Sequence, residues 1–167
     1  MEQEYWFLGL HVKVLADGQT TGGRYDLLEC MGWPGSTIPR LRHTTYDMQL
    51  LVLEGELTVQ TEAQTVVLTA GQSYLITRRI AHTINISGPE AAHTMVVASP
   101  SGLAQVVRAV GIYAEAGSLP PASKSNLLVL SQALAEIGDE LVLTSNAEVT
   151  DNFNKPVSLP FFPCLNY

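Results

Sequence analysis

Residues 39–85 form a series of short apolar runs separated by tight turns. The run from Asp47 to Leu53 is too short for a helix and too apolar for a loop, and residues 54–56 supply a turn before the pattern resumes at Leu57. Gly71 lies in a second turn of this kind, where a glycine allows positive φ. Short strands at such regular spacing are typical of a sandwich or barrel, so the sequence predicts an all-β domain.

Composition and charge restrict the partners of the chain. Its 167 residues, 46% of them hydrophobic, suffice for one domain with a core. A net charge of -7 with nine Lys and Arg argues against nucleic acid as a partner. No apolar run approaches the roughly 20 residues that span a bilayer, and the acidic start differs from a secretory signal. We therefore expect no membrane partner, a cytoplasmic location, and free thiols at Cys30 and Cys164.

The segment after the strands predicts two helices. Leu103 to Val110 has apolar residues on one face, with Ser101 as the expected cap and Gly111 as the stop. A second helix is predicted over Asn126 to Ile137, with Gly138 as its stop. Within one structural domain we thus distinguish a barrel (1–100), a helical pair (101–138) and an extended tail (139–167). In that tail, residues 141–144 are a candidate edge strand.

Several short motifs resemble those of one family. They are Tyr5–Gly9 with Thr21–Gly23, Val52–Leu57, Gly71 followed by His82, and Ser99–Leu103. On these residues the chain is similar to small single-domain bacterial cupins of the cupin_2 type, which resemble one half of quercetin 2,3-dioxygenase. The resemblance implies a cupin β-barrel, that is, a double-stranded β-helix or jelly roll, with two C-terminal α-helices packed outside it.

The same comparison implies a degenerate metal motif. His43 and His82 match two of the four ligand positions of the family, while Leu41 and Met48 stand at the other His position and the Glu position. Two imidazoles without the carboxylate should hold a first-row metal far more weakly, so dioxygenase chemistry of the ordinary kind is not expected. A divalent or copper ion on His43 and His82, with the Met48 thioether as a third ligand, remains an alternative to Met48 as core packing.

The strand pattern also predicts which side chains face the interior. The expected ligand pocket is mostly apolar with a few polar groups: Leu41, His43, Tyr46, Met48, Leu50, Tyr74, His82 and Ile84. Trp6 and Phe7 either pack on the flank of the barrel or lie in a homodimer that is built by exchange of the N-terminal strand.

Three functions are compatible with these residues. The first is binding of a small aromatic or apolar metabolite in the barrel without oxygen chemistry. The second is an enzyme with a rebuilt site, either a metal-dependent dioxygenase or isomerase on His43 and His82, or a metal-free form with a histidine as base and Tyr46 or Tyr74 as acid. The third is a dimeric interaction module without pocket chemistry. The fold alone does not choose among them, and no catalytic residue is assigned.

Overall fold

The computed structural model describes residues 3–115 and 127–142. Its strands are β1 (Gln3–Phe7), β2 (Leu10–Ala16), β3 (Asp26–Gly32), β4 (Thr37–Arg42), β5 (Asp47–Glu54), β6 (Glu56–Thr61), β7 (Thr65–Thr69), β8 (Ser73–Ile76), β9 (Ala81–Ile86), β10 (Ala92–Ser99), β11 (Ile112–Tyr113) and β12 (Glu140–Leu141). Its helices are α1 (Gly18–Thr21), α2 (Leu103–Val110) and α3 (Leu127–Glu136). None of these helices has the length and apolar character needed to cross a bilayer.

The strands form two antiparallel sheets. One sheet has seven strands in the order β11-β1-β2-β3-β10-β5-β8, and the other has five in the order β12-β4-β9-β6-β7. Successive strands switch between the sheets, as β4, β5 and β6 do, and this is the connectivity of a jelly roll. The architecture confirms the prediction of an all-β barrel with helices after it.

The core lies between the two sheets and follows the alternation of the strands. In β5, Met48, Leu50 and Val52 are buried, whereas Leu51 and Leu53 between them point outward. The turn into β6 depends on Gly55, which has φ +78°, and a Cβ atom there would lie 2.4 Å from the carbonyl oxygen of Ala91. A glycine is required at this hairpin because both the backbone conformation and the close approach exclude a side chain.

Both predicted helices are present, but the expected cap of the first is wrong. The N-cap position of α2 is Gly102, which offers no side chain. The Oδ2 atom of Asp26 accepts hydrogen bonds from the backbone N–H groups of Gly102 and Ala104, at 2.7 and 3.0 Å. The cap therefore comes from β3, which is distant in sequence, and Ser101 does not supply it.

The structure confirms the end of the second helix and differs from the predicted bounds of the edge strand. The helix α3 ends before Gly138, which has φ +82°. The edge strand β12 covers Glu140–Leu141 and pairs with β4, whereas the sequence predicted 141–144, of which 143 and 144 lie outside the described residues. The predicted helix start at Asn126 and the tail beyond residue 142, which includes Cys164, lie outside the described residues. Cys30 is a buried free thiol, and burial raises its pKa to about 12.

The N-terminal strand is held within its own chain. β1 pairs with β2 on one side and with β11 on the other. Trp6 is buried and its ring centroid lies 5.6 Å from that of Trp33, so this side chain packs on the flank of the barrel. Within one chain both edges of β1 are thus paired, and the homodimer by strand exchange stays a prediction.

Candidate functional site

The two histidines singled out in the sequence lie side by side in the barrel. His43 follows β4, and His82 lies in β9 directly opposite Leu41 of β4. Their ring centroids are 4.9 Å apart, and both side chains are buried. The ring of Tyr46 is 4.5 Å from that of His43 and is fully buried. The structure therefore brings together His43, Tyr46 and His82 of the predicted pocket.

A carboxylate that the sequence did not indicate completes this cluster. The Oδ2 atom of Asp139 lies 2.8 Å from Nδ1 of His43, and its Oδ1 atom accepts a hydrogen bond from the backbone N–H of Thr44 at 2.9 Å. The Asp139 side chain has 0% exposure. Because an ionised carboxylate only accepts hydrogen bonds, the network assigns the proton of neutral His43 to Nδ1 and leaves Nε2 as the basic nitrogen.

The end of α3 brings Asp139 to the cluster. Gly138 adopts the left-handed conformation and donates to the carbonyl of Ala135, and the N–H of Asp139 donates to the carbonyl of Leu134 at 2.8 Å. This is how glycine commonly ends a helix. A Cβ atom on Gly138 would lie 2.9 Å from Oγ1 of Thr44, whose hydroxyl donates to the Gly138 carbonyl. The turn therefore packs tightly against the loop that carries His43.

His82 is held in its neutral form. Its Nδ1 atom lies 3.0 Å from the carbonyl oxygen of Ile80, so Nδ1 is the donor and Nε2 the unprotonated nitrogen. Burial and, next, the neighbouring His43 lower the pKa of His82 to about 4. At neutral pH its Nε2 atom is thus a hydrogen-bond acceptor.

Tyr46 is held in its protonated form. Burial, followed by the negative charge of Asp139, a hydrogen bond to the Asp139 carboxylate and the charge of Asp26, raises the pKa of its hydroxyl well above the ordinary value. That contact with Asp139 lacks the geometry of a good hydrogen bond, and no other described residue pairs with the hydroxyl. A protonated phenol in this position can donate a hydrogen bond to an incoming oxygen atom.

Three buried polar atoms in this one cluster lack partners in the described structure. They are Nε2 of His43, Nε2 of His82 and the hydroxyl oxygen of Tyr46. Each buried unsatisfied group costs about 1–3 kcal/mol of stability, and such groups are uncommon in native proteins unless water, an ion or a ligand engages them. The cluster offers two acceptors and one donor to a molecule that enters it.

The other members of the predicted pocket are apolar or bond elsewhere. Leu41, Met48 and Leu50 belong to the apolar core, and Ile84 is partly buried against it. Tyr74 lies in β8, and its hydroxyl accepts a hydrogen bond from Nε2 of Gln64 at 2.9 Å. Two surface cavities, of about 460 Å³ beside Arg108 and about 230 Å³ beside His11, contain none of the predicted pocket residues.

The four-ligand set that the resemblance implies would need ligands at positions 41 and 48. Leu41 and Met48 are core residues there, and Met48 lies between Ile76 and Ala98 of the adjacent strands. Within residues 3–115 and 127–142, no three His, Cys, Asp or Glu side chains are arranged to hold a metal ion. What remains is two imidazoles whose Nδ1 atoms are anchored and whose Nε2 atoms are unpartnered.

Comparisons with known proteins agree on the fold. Residues 30–98 match the family model described as a cupin domain. The polyketide cyclase RemF from Streptomyces resistomycificus is 19% identical over 60% of this chain and 75% of its own, with a TM-score of 0.53. The cupin domain of Schizosaccharomyces pombe Cnp3 is 17% identical over 62% of this chain and 73% of its own, with a TM-score of 0.51.

An RmlC-like cupin from Shewanella frigidimarina is 21% identical over 60% of this chain and 84% of its own, with a TM-score of 0.50. No curated protein matched the chain. The family match and the structural similarity confirm the predicted cupin β-barrel. The described functions of these similar structures differ, so the chemistry has to be argued from the site itself.

Proposed function

We propose that this cupin-fold protein binds a small molecule at the buried cluster of His43, Tyr46 and His82 and catalyses a proton transfer on it. The observation that carries the proposal is the buried cluster of His43, Tyr46 and His82, in which three polar atoms are unpartnered while a buried carboxylate anchors His43. A cluster needed only for stability would be expected to satisfy these atoms internally.

His43 is the proposed general base. Asp139 holds the proton of the neutral imidazole on Nδ1, so the lone pair of Nε2 is available to accept a proton. The imidazolium that forms would remain paired with the Asp139 carboxylate, which offsets the cost of a buried positive charge. Asp139 is thus a positioning residue, since it acts through His43.

Tyr46 is the proposed acid. When a C–H bond next to a carbonyl breaks, its proton goes to Nε2 of His43 and the electron pair passes to the carbonyl oxygen. The protonated hydroxyl of Tyr46 donates a hydrogen bond to this developing oxyanion, an interaction that is strong in a buried site. Return of the proton from Nε2 of His43 to the same carbon reforms the carbonyl, and when the planar enolate has turned over in the site the configuration at that carbon is inverted, which completes an epimerisation.

His82 favours a ligand with a hydroxyl group. Its neutral Nε2 atom accepts a hydrogen bond, and Tyr46 donates one, so the cluster complements a molecule that carries a hydroxyl beside a carbonyl. Leu41 and Ile84 on the same inner face supply apolar surface for the carbon skeleton. This assignment narrows the earlier expectation of an apolar or aromatic metabolite.

Deuterium exchange tests the proposal. Purified protein is incubated in D₂O with small hydroxyaldehydes, hydroxyketones and sugar phosphates, and deuterium uptake at the carbon beside the carbonyl is followed by NMR. We expect the wild type to exchange at least one of these compounds, and His43→Gln and Tyr46→Phe to slow that exchange by about 10²-fold or more.

The matched control is His11→Gln, which alters a histidine outside the cluster that pairs with Glu4. This variant should exchange at the wild-type rate. The proposal would be contradicted if His43→Gln and Tyr46→Phe exchanged deuterium as fast as the wild type. It would also be contradicted if none of the three proteins exchanged faster than buffer alone.

Metal binding by His43 and His82 is the second candidate. Metal-ligating histidines usually donate the other ring N–H to a carboxylate or a carbonyl, and these two do so to Asp139 and Ile80. A bound ion would supply Lewis-acid chemistry. Elemental analysis of untagged protein tests this candidate, and near-stoichiometric metal in the wild type but not in a His43→Ala/His82→Ala variant would support it. If neither the wild type nor the double variant held metal after incubation with iron, nickel, copper and zinc salts, this candidate would be contradicted.

A further inference from the structure

The acid–base cluster is closed to solvent. None of His43, Tyr46, His82 and Asp139 is more than 3% exposed. The Nε2 atoms of both histidines and the hydroxyl oxygen of Tyr46 have almost no surface in contact with solvent. A ligand can therefore reach these atoms only after part of the wall around them has moved.

One wall of the cluster is formed by residues 138–142, which we call the closing segment. It runs from the end of α3 into β12. Asp139 in this segment lies 2.8 Å from Nδ1 of His43 and accepts a hydrogen bond from the backbone N–H of Thr44. The hydroxyl of Thr44 donates to the carbonyl of Gly138. The closing segment thus covers the proposed base directly.

The same segment lies against the other two cluster residues. The negative charge of Asp139 contributes to the raised pKa of Tyr46, so the carboxylate lies close to that hydroxyl. Leu141 is opposite Leu41 of β4, which in turn is opposite His82 of β9. Displacement of this one segment would therefore uncover the proposed acid together with the base.

The closing segment is held less firmly than the other walls. In the part of the chain that the structure describes, β12 has two residues and pairs with β4 alone, whereas β4, β5 and β9 are paired on both sides. The N–H of Val142 adds one bond to the carbonyl of Arg40 at 2.9 Å. The ion pair of Arg42 and Glu140 is largely exposed, so it contributes little. A short edge strand opens at a lower free energy than strands inside a sheet.

Gly138 lies where the closing segment leaves α3. The helix is anchored to the core by Leu130 and Leu134, which are fully buried. Gly138 has φ +82°, and glycine populates both signs of φ, so this residue can absorb a large change of backbone direction. The helix can stay in place while residues 139–142 swing away.

We propose that the closing segment is a gate that swings at Gly138 to admit a ligand and that completes the proposed base when it closes. The gate rests on the proposed function, because it takes the cluster as the site of ligand binding. With the segment open, His43 loses the carboxylate that holds its proton on Nδ1. Closure over a ligand restores that contact and excludes water, so the oriented base exists only in the closed state.

A reversible disulfide across the edge strand tests the gate on the full chain. Arg42 of β4 and Glu140 of β12 lie opposite each other. Opposite residues on antiparallel strands have Cα atoms about 4.5–5.5 Å apart, a separation that a disulfide spans. Arg42→Cys/Glu140→Cys, made together with Cys164→Ser, ties the closing segment to β4 when oxidised and frees it when reduced.

Modification by diethyl pyrocarbonate measures access to the cluster, because this reagent reacts with accessible unprotonated ring nitrogens of histidine. The rate at each histidine is followed at pH 7 by peptide mass spectrometry, after the reductant has been removed from the reduced sample. We expect oxidation to slow modification of His43 and His82 at least tenfold, and reduction to restore it. The partly exposed His11 and His93 should react equally in both forms.

Gln60→Cys/Thr65→Cys, again with Cys164→Ser, is the matched control, since these two residues lie opposite each other on β6 and β7. Its oxidation should leave the rates at His43 and His82 unchanged. Equal rates at His43 in the oxidised and reduced gate variant would overturn the gate. Equal slowing by the control disulfide would also overturn it, because the histidines would then be reached through global unfolding.

Amide hydrogen exchange of the wild type decides the question if the gate variant does not fold, as judged by circular dichroism. The N–H groups of Val142 and Ile86 both donate at 2.9 Å, to the carbonyls of Arg40 and Ser36. Val142 should exchange at least tenfold faster than Ile86, and equal protection would overturn the gate.

Both measurements are independent of catalysis. A failure of the deuterium-uptake assay would contradict the proposed function, whereas the rates of histidine modification and amide exchange would still decide whether the closing segment opens.

Discussion

His43 and Asp139 are 96 positions apart in the chain, yet Nδ1 of His43 lies 2.8 Å from Oδ2 of Asp139 in a buried pair. This contact joins the loop after β4 to the turn between α3 and β12. It shows that the C-terminal segment contributes to the barrel interior as well as to its outer packing. The same contact gives His43 a defined basic nitrogen, on which the proposed proton transfer depends.

Low pH should weaken the fold through His82. Its pKa is about 4 in the folded state and near 6.5 when exposed. Between these values the unfolded chain binds a proton that the folded chain excludes, so stability falls as the pH drops through this window, by up to about 3 kcal/mol. Urea unfolding at about pH 7 and at about pH 4.5 measures the fall, and His82→Gln should reduce it.

The control for this experiment is His11→Gln, in which a partly exposed imidazole is replaced. Its loss of stability between the two pH values should equal that of the wild type. An unchanged loss in His82→Gln would show that His82 does not carry the effect.

Removal of the Tyr46 hydroxyl should slow the proposed reaction without lowering the stability of the fold. Tyr46→Phe keeps the ring packing but deletes a buried group without a partner, so the free energy of unfolding should be unchanged or higher by up to about 3 kcal/mol. Tyr74→Phe instead breaks a hydrogen bond to Gln64 and should cost about 0.5–1.5 kcal/mol. Chemical denaturation compares the two, and a clear destabilisation by Tyr46→Phe would mean that its hydroxyl is satisfied.

The cap of α2 gives a test of the fold. Asp26→Ala removes the carboxylate that accepts from Gly102 and Ala104, and it should destabilise the protein by about 0.5–2 kcal/mol. Ser101→Ala should change the stability by less than about 0.5 kcal/mol, because its hydroxyl makes no capping bond. Thermal unfolding of both variants measures the difference. If Ser101→Ala destabilised the protein more than Asp26→Ala, Ser101 would be the cap instead.

The sequence predicted features that depend on neighbouring residues. Alternation in β5 and the turn at Gly55 are local, so the strands and the barrel could be inferred before the structure. The positions of His43 and His82 came from the resemblance of short motifs, and the structure places these two side chains together.

Features that depend on distant residues were missed. Gly138 indicated only the end of a helix, and nothing in the sequence shows that the next residue, Asp139, turns back to His43. The predicted cap of α2 was wrong for the same reason. The carboxylate of Asp26 in β3 caps the helix, whereas the local sequence predicted Ser101. Tertiary contacts decide both, and they carry no periodic signal.

The protonation of the His43 ring tests the central claim most directly. Long-range ¹H–¹⁵N NMR at neutral pH distinguishes a protonated from an unprotonated ring nitrogen. We expect Nδ1 of His43 to carry the proton and Nε2 to be unprotonated, with Asp139→Asn shifting this preference. A proton on Nε2 of the wild-type ring, with Nδ1 bare beside Asp139, would contradict the assignment of His43 as a base oriented by that carboxylate.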